Sequence, residues 1–173
     1  NTDIFFVDDC SSDRTFKIVK DFVKKNAYCY LYKTRSNQGP GIARNLALKK
    51  SNSKYIMFLD SDDKIKHLIF KKLFNFLRNK NFNLCFYNNH NKRYLVNSKN
   101  LWTRNFFLKS FKREAIYGIY NKNFLRKNKI VFKRGFYEDI AFLFKSVLLN
   151  NKKIIFYNKN IYLKNNRNYK SIT

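Results

Sequence analysis

Aspartates occur in two clusters, and each cluster directly follows a short apolar run. Asp8-Asp9 follow residues 4–7, and Asp60-Ser61-Asp62-Asp63 follow residues 55–59. Carboxylates this close repel one another unless a cation lies among them. Two carboxylates can hold a Mg²⁺ or Mn²⁺ ion that also binds phosphate oxygens. The clusters therefore predict a site for a divalent metal and a phosphate group.

Each cluster also has a simpler interpretation, because aspartate commonly caps the helix that follows it. For Asp8-Asp9 the two interpretations are equally compatible with the residues. One acid is enough for a cap, so three acids in residues 60–63 favour metal binding. In an extended segment, Asp60 and Asp62 point to the same side because side chains alternate with period two. Asp60 and Asp62 are the predicted metal ligands.

Arg44 and the pair Glu138-Asp139 are the other candidate site residues. Arg44 follows the Gly39-Pro40-Gly41 loop and opens a predicted helix. Backbone amides and a guanidinium at that position bind anions, although a solvated arginine is equally compatible. Glu138-Asp139 stand at the head of an apolar helix, where a carboxylate can act as a general base. Taken alone, this pair is better explained by the helix dipole.

The elements that position these residues alternate between strand and helix, which indicates an α/β fold. Acids at the ends of strands would lie at the carboxyl edge of the sheet, where ligands bind in this class. No internal repeat or linker is visible, so residues 1–173 form one predicted domain. The predicted strands are 4–7, 28–32, 55–59, 83–87, 154–157 and 161–163; the predicted helices start near 16 and 138 and cover 42–50, 68–77, 102–111 and 121–127.

The net charge of +26 invites a nucleic-acid interpretation. However, the lysines are scattered, without a dense basic tail or an RNA-binding aromatic signature, so nucleic acid is disfavoured. Contact with an anionic membrane surface is favoured instead, since each basic residue near it contributes about 1 kcal/mol. Three cysteines without CxxC spacing indicate reduced thiols and a cytoplasmic protein. Together with the basic charge, this predicts a location at the inner face of the membrane.

Five segments resemble, in the same order, the motifs of family 2 glycosyltransferases. They are the nucleotide-binding signature (residues 3–15), the glycine loop with Ala-Arg-Asn (37–45), the Asp-x-Asp segment (55–63), the segment Phe136-Tyr137-Glu138-Asp139-Ile140 and the region that often follows it (162–173). The resemblance implies a GT-A fold, a Rossmann-like mixed sheet flanked by helices. Residues 1–63 would form the nucleotide-binding part, and residues 64–173 the acceptor-side and catalytic-base part.

The resemblance also implies a role for each candidate residue, with a nucleotide-diphosphate sugar as donor. Asp8 and Asp9 would contact the base and ribose, and Arg44 would lie near the nucleotide. Asp60 would lie near the ribose or diphosphate and, with Asp62, at the Mn²⁺ or Mg²⁺ ion, and Arg167 would help to hold the diphosphate. Asp139, with Glu138 beside it, would deprotonate the hydroxyl of a glycan or lipid-linked acceptor. The implied activity is an inverting sugar transfer in bacterial surface polysaccharide synthesis.

Three departures from the family pattern qualify this expectation. Cys10 stands where the family usually has glycine, and Gly118 stands where many members have lysine. The family's first strand is expected before Asn1, so the chain is expected to be N-terminally truncated with an exposed sheet edge. Such a fragment is expected to bind nucleotide weakly and to aggregate.

Two other classes of protein fit part of the pattern. In a receiver-type phosphoacceptor domain, Asp60 would be the phosphorylated residue, but residues 39–45 and Glu138-Asp139 would have no role. A non-catalytic basic binding module would account for the charge alone.

Overall fold

The computed structural model describes residues 2–87, 114–135 and 137–165. The chain forms two compact units, the first of residues 1–56 and 121–149 and the second of residues 57–120 and 150–173. The chain passes from one unit to the other within strands β3 (Tyr55–Met57) and β6 (Gly118–Asn121). Two predictions, the helix at residues 102–111 and the role of Arg167, lie outside the described residues.

The first unit begins with a β-α-β arrangement. Strands β1 (Ile4–Asp8) and β2 (Cys29–Lys33) are parallel, and Asp8 lies opposite Lys33 at their carboxyl ends. Helix α1 (Thr15–Lys24) connects them, since neighbouring parallel strands need a crossover. These three elements confirm the predicted strand, helix and strand.

Three more helices complete the first unit. Helix α2 (Pro40–Lys50) follows β2, and α4 (Lys122–Lys127) and α5 (Glu138–Leu148) come later in the chain. The rings of Phe132 and Phe142 stack with centroids 4.1 Å apart, and both residues are buried. The core of this unit therefore joins α5 to the irregular segment before it.

The second unit contains a mixed sheet. Strand β5 (Leu84–Tyr87) pairs with β6 in antiparallel fashion and with β7 (Ile155–Tyr157) in parallel fashion. All four residues of β5 are buried, as expected for a strand with a neighbour on each side. Among its described residues, the other elements are β4 (Lys64–Ile65), α3 (His67–Leu77), a 3₁₀ turn (Ala115–Tyr117) and β8 (Tyr162–Leu163).

The α/β prediction is confirmed, but it is wrong locally at the second aspartate cluster. The strand predicted for residues 55–59 ends at Met57. Asp63 donates its backbone N–H to the carbonyl of Asp60 at 3.1 Å, so residues 60–63 form a turn. The prediction that Asp60 and Asp62 share one side of an extended segment is therefore wrong.

Within the described ranges, every helix is too short or too polar to cross a membrane.

Candidate functional site

Asp9 fixes the loop that leads into α2. Its carboxylate accepts the backbone N–H groups of Gln38 at 3.0 Å and Gly39 at 2.7 Å, and the hydroxyl of Thr34 at 2.6 Å. Gly39 has φ +86°, a conformation that glycine adopts without strain. Asp9 and Gly39 together set where α2 begins.

Asp8 supports the turn that follows β1. Its side chain is buried and accepts the backbone N–H of Ser11 at 3.3 Å, while the ammonium of Lys33 lies 3.8 Å away. In the same turn, Cys10 has φ +60°, and its thiol donates to the carbonyl of Thr34. The left-handed conformation at Cys10 accounts for the glycine expected there from the family resemblance.

Arg44 forms an ion pair with the two acids at the start of α5. Its Nη1 lies 3.0 Å from Oδ1 of Asp139 and 3.8 Å from Oε1 of Glu138. The arginine side chain is only 12% exposed, and each acidic side chain is 20% exposed. The expectation that Arg44 opens its helix is wrong, because α2 starts at Pro40 and Arg44 lies in the second turn. Its cation neutralises the acids of α5.

Two neighbours of Arg44 on α2, Gly41 and Asn45, also contact Phe132 or the first residue of α5, and no role was predicted for either. Asn45 exchanges two hydrogen bonds with the backbone of Phe132. Gly41 approaches so closely that a Cβ there would lie 3.0 Å from Cγ of Glu138 and 3.1 Å from Cβ of Phe132. In the sequence, Gly41 and Asn45 were marked only by their place in the motif of residues 37–45, which also contains Arg44.

A cavity of about 420 Å³ lies beside this ion pair, inside the first unit. Residues 38–42 form part of its lining, together with Lys133, Arg134, Tyr137 and Glu138. Tyr137 precedes α5 in a left-handed conformation with φ 63°. The cations of Lys133 and Arg134 outnumber the one carboxylate in the lining, that of Glu138, and the start of α2 adds its dipole, so the cavity has the charge to accept an anionic group.

In the second unit, the Asp60–Asp63 turn is bound to β8 through a tyrosine. The hydroxyl of Tyr162 donates to Asp63 at 2.7 Å and accepts the backbone N–H of Asp60 at 3.1 Å. Asp63 also accepts the backbone N–H of Asn165 at 2.7 Å. Burial raises the pKa of Tyr162, and the hydrogen bond to Asp63 raises it further, so the hydroxyl stays protonated at neutral pH. The one sequence signal for Tyr162 was its place at the start of the segment 162–173 that resembles the family.

Metal binding would depend on Asp60 and Asp62, since Asp63 is engaged by Tyr162 and Asn165. In the part of the chain that the structure describes, no three His, Cys, Asp or Glu side chains converge as a metal site. Mg²⁺ and similar ions commonly take one or two protein carboxylates and complete their shell with water and substrate phosphates. The oxygen-only donor set of Asp60 and Asp62 fits that kind of site.

Comparison with known proteins places these residues in a family context. A sequence model of glycosyl transferase family 2 matches residues 1–149. An uncharacterized glycosyltransferase of Haemophilus influenzae is 39% identical over 77 residues, which are 44% of this chain and 31% of that protein. The poly(ribitol-phosphate) beta-N-acetylglucosaminyltransferase TarS of Staphylococcus aureus is 42% identical over 64 residues, or 36% of this chain and 11% of that protein. The chain thus spans a third or less of the length of these curated relatives.

The solved structures show the same fold over most of the chain. The crystal structure of S. aureus TarS 1–349 in complex with UDP matches 92% of this chain and 49% of its own, with 25% identity and a TM-score of 0.73. The complex of the same protein with UDP-GlcNAc also matches with a TM-score of 0.73. The expected GT-A fold is thereby confirmed.

Proposed function

Because the chain belongs to glycosyl transferase family 2, we propose that it transfers a sugar from a UDP-linked donor to a hydroxyl of a bacterial cell-surface glycan or lipid-linked polymer. The donor is inferred from the UDP and UDP-GlcNAc complexes of the similar TarS structure. The acceptor class is inferred from relatives named for teichoic and teichuronic acid synthesis. Family membership excludes the receiver-domain alternative, in which Asp60 would be phosphorylated.

Asp139 is the proposed general base of this transfer. The observation that supports this role best is the ion pair of Asp139 with Arg44 at 3.0 Å in the first turn of α5. A guanidinium at that distance favours the ionised carboxylate, which is the form that accepts a proton. Glu138 lies beside it and shares the same arginine.

The proposed reaction is a displacement with inversion. The acceptor oxygen attacks the anomeric carbon of the donor, and its proton passes to Asp139. The bond between the anomeric carbon and the diphosphate oxygen breaks, and the nucleoside diphosphate leaves with the electron pair. The chain supplies the base and the groups that orient both substrates.

The donor groups are assigned from the family motifs. Asp8 and Asp9 are proposed to address the nucleoside, Arg44 to lie near the nucleotide and Arg167 to bind the diphosphate. Asp60 and Asp62 are proposed to hold a Mn²⁺ or Mg²⁺ ion. When bound, this ion would neutralise charge on the departing diphosphate.

The proposed location is the cytoplasmic side of an anionic membrane. The formal charge of +26 supports it, because basic residues near such a surface are attracted to it.

The proposal is tested by UDP release from UDP-GlcNAc, measured with and without a teichoic-type polymer as acceptor, in the complete protein. We expect Asp139→Asn to lower kcat by about 10²- to 10⁴-fold, as for loss of a general base. We expect Asp62→Ala to lower turnover and to shift its dependence on added Mn²⁺. Asp21→Asn is the matched control, since Asp21 is exposed on α1 and loses the same charge.

The three variants separate the possible outcomes. Turnover at the wild-type rate in both Asp139→Asn and Asp62→Ala would refute the assignment of these residues. Equal loss in Asp21→Asn would show that general charge, and not the base, controls the rate. A set of GDP- and CDP-linked donors, tested alongside, identifies the nucleotide.

A further inference from the structure

The side chain of Asn45 forms a closed pair of hydrogen bonds with the backbone of Phe132. The amide of Asn45 donates to the carbonyl of Phe132 at 2.7 Å, and its Oδ1 accepts the N–H of Phe132 at 2.9 Å. Phe132 is buried in an irregular segment, where no helix or strand ladder supplies partners for its backbone. Buried backbone groups require such partners, and Asn45 supplies both.

Asn45 belongs to one face of α2 that contacts Phe132 and the two acids at the start of α5. Gly41, Arg44 and Asn45 have the spacing i, i+3 and i+4, which places them on the same side of a helix. Gly41 gives the closest approach, Arg44 pairs with the acids of α5, and Asn45 binds the backbone of Phe132. This face is mostly polar, so its contacts are directional.

The contact at Phe132 extends into α5 itself. The ring of Phe132 lies 4.1 Å from that of Phe142, with the two planes only 1° apart. Phe142 stands one turn after Asp139 on α5. A shift of the Phe132 backbone would therefore move the stacked ring and, with it, the first turn of α5.

We propose that Asn45 is a positioning residue that holds Phe132, and through it the first turn of α5, so that Asp139 is correctly placed to accept the acceptor proton. This inference rests on the proposed function, because it presumes that Asp139 is the base. Asn45 itself touches neither substrate in this account. Misplacement of a reacting group by about 1 Å can lower a rate by about 10²-fold, so a positioning role is visible in kcat.

The test compares Asn45→Ala with Asn83→Ala in the complete protein. Asn83 is the matched control, because its buried amide also donates two hydrogen bonds, to Asn150 and Asn151, within the second unit. Amide hydrogen exchange is measured at Phe132 and across residues 138–142, and UDP release from UDP-GlcNAc is measured in parallel.

In Asn45→Ala, we expect exchange to accelerate by about tenfold both at Phe132 and at residues 138–142, as for loss of a buried hydrogen bond. We expect kcat to fall by about 10- to 100-fold with the donor KM unchanged. Asn83→Ala is expected to leave both kcat and the exchange rates at Phe132 and residues 138–142 unchanged. An equal loss of kcat in both variants would reveal a merely structural role and overturn the proposal.

The exchange data keep this test separate from the test of the proposed function. If exchange accelerates at Phe132 but not at residues 138–142, the link to α5 is refuted whatever the activity. If exchange changes as expected while the wild-type protein releases no UDP, the proposed function is wrong, but the structural link from Asn45 through Phe132 to α5 is still supported. If both exchange regions respond and kcat does not, Asn45 does not position the base.

Discussion

Removal of Arg44 from its ion pair with Asp139 should destabilise the first unit. The guanidinium of Arg44 lies over the ring of Phe132, 5.4 Å from its centroid. The substitution Arg44→Met removes the cation but keeps an unbranched side chain that can still pack against this ring. Asp139 and Glu138 then remain as two neighbouring, mostly buried carboxylates. We expect this to cost more than the loss of an ordinary surface charge.

The structure sets the size of the effect. Unit charges 3.0 Å apart attract by about 5 kcal/mol at an effective dielectric constant of about 20. Removing one partner of a buried pair costs about 3–5 kcal/mol, because the other charge stays buried without compensation. The side chains are 12% and 20% exposed, so water screens part of the charge. We therefore expect Arg44→Met to lower the free energy of unfolding by about 3 kcal/mol.

A double-mutant cycle measures the direct interaction. The free energy of unfolding is determined by urea titration at pH 7 for the wild type, Arg44→Met, Asp139→Asn and the double variant. Direct contact predicts a coupling energy of about 1–3 kcal/mol, with the double variant more stable than the sum of the single losses implies. The exposed pair Lys24–Asp21, at 4.0 Å, provides the control cycle and should couple by less than about 0.5 kcal/mol.

Additive losses in the Arg44–Asp139 cycle would contradict this reasoning. A decrease in the free energy of unfolding of less than about 1 kcal/mol in Arg44→Met would also contradict it, because ion pairs exposed to solvent contribute no more than that. A changed slope of free energy against urea in one variant would show that the unfolding transition itself had changed.

Three further substitutions test local features. Tyr162→Phe should lower the free energy of unfolding by about 1–3 kcal/mol at pH 7, because Asp63 loses a buried donor. Since the pKa of Tyr162 in the folded protein lies above the ordinary 10.0, its hydroxyl stabilises the fold fully below pH 10 and loses this effect as the pH rises further. In urea titrations from pH 8 to 11, the free energy of unfolding should therefore vary less with pH in the variant than in the wild type. An equal pH dependence in both proteins would contradict this. Cys10→Gly should change the free energy of unfolding by less than about 1 kcal/mol, because relief of strain at φ +60° is offset by greater freedom of the unfolded chain; a loss above 2 kcal/mol in the same titration would point to a larger role of the thiol. Gly41→Ala should be destabilising in that titration, since crowding against Phe132 costs about 1–3 kcal/mol and helix propensity returns about 1 kcal/mol; a stabilised variant would show that the segment yields easily.

The elements that sequence patterns predicted are those with a local signal. The apolar run of β5 (Leu84–Tyr87) and the helical spacing of α3 (His67–Leu77) are legible in a short window, and both are present. Strand β4 has two residues, and its partner β8 lies about a hundred positions later, with Lys64 opposite Leu163. Strand β8 lies within the predicted strand 161–163, whereas the two residues of β4 depend on this distant partner and carry no local pattern of their own.

The candidate site shows the same limit in its contacts. Arg44 and Asp139 could each be selected by residue type and motif, but their ion pair joins positions 95 residues apart. The prediction that the side chains of Asp60 and Asp62 point to the same side depends on an extended backbone. A run of four polar residues after a strand is equally compatible with a turn, and the hydrogen bond from Asp63 closes one.

The hydrogen bonds of Asp9 have a consequence for how the family motif is interpreted in other chains. Its carboxylate builds the loop before α2, whether or not a nucleotide ever binds there. A homologue that had lost its activity would therefore still be selected to keep this aspartate, because its fold needs it. Retention of Asp9 is thus a sign of an intact scaffold and, taken alone, no sign of an active enzyme.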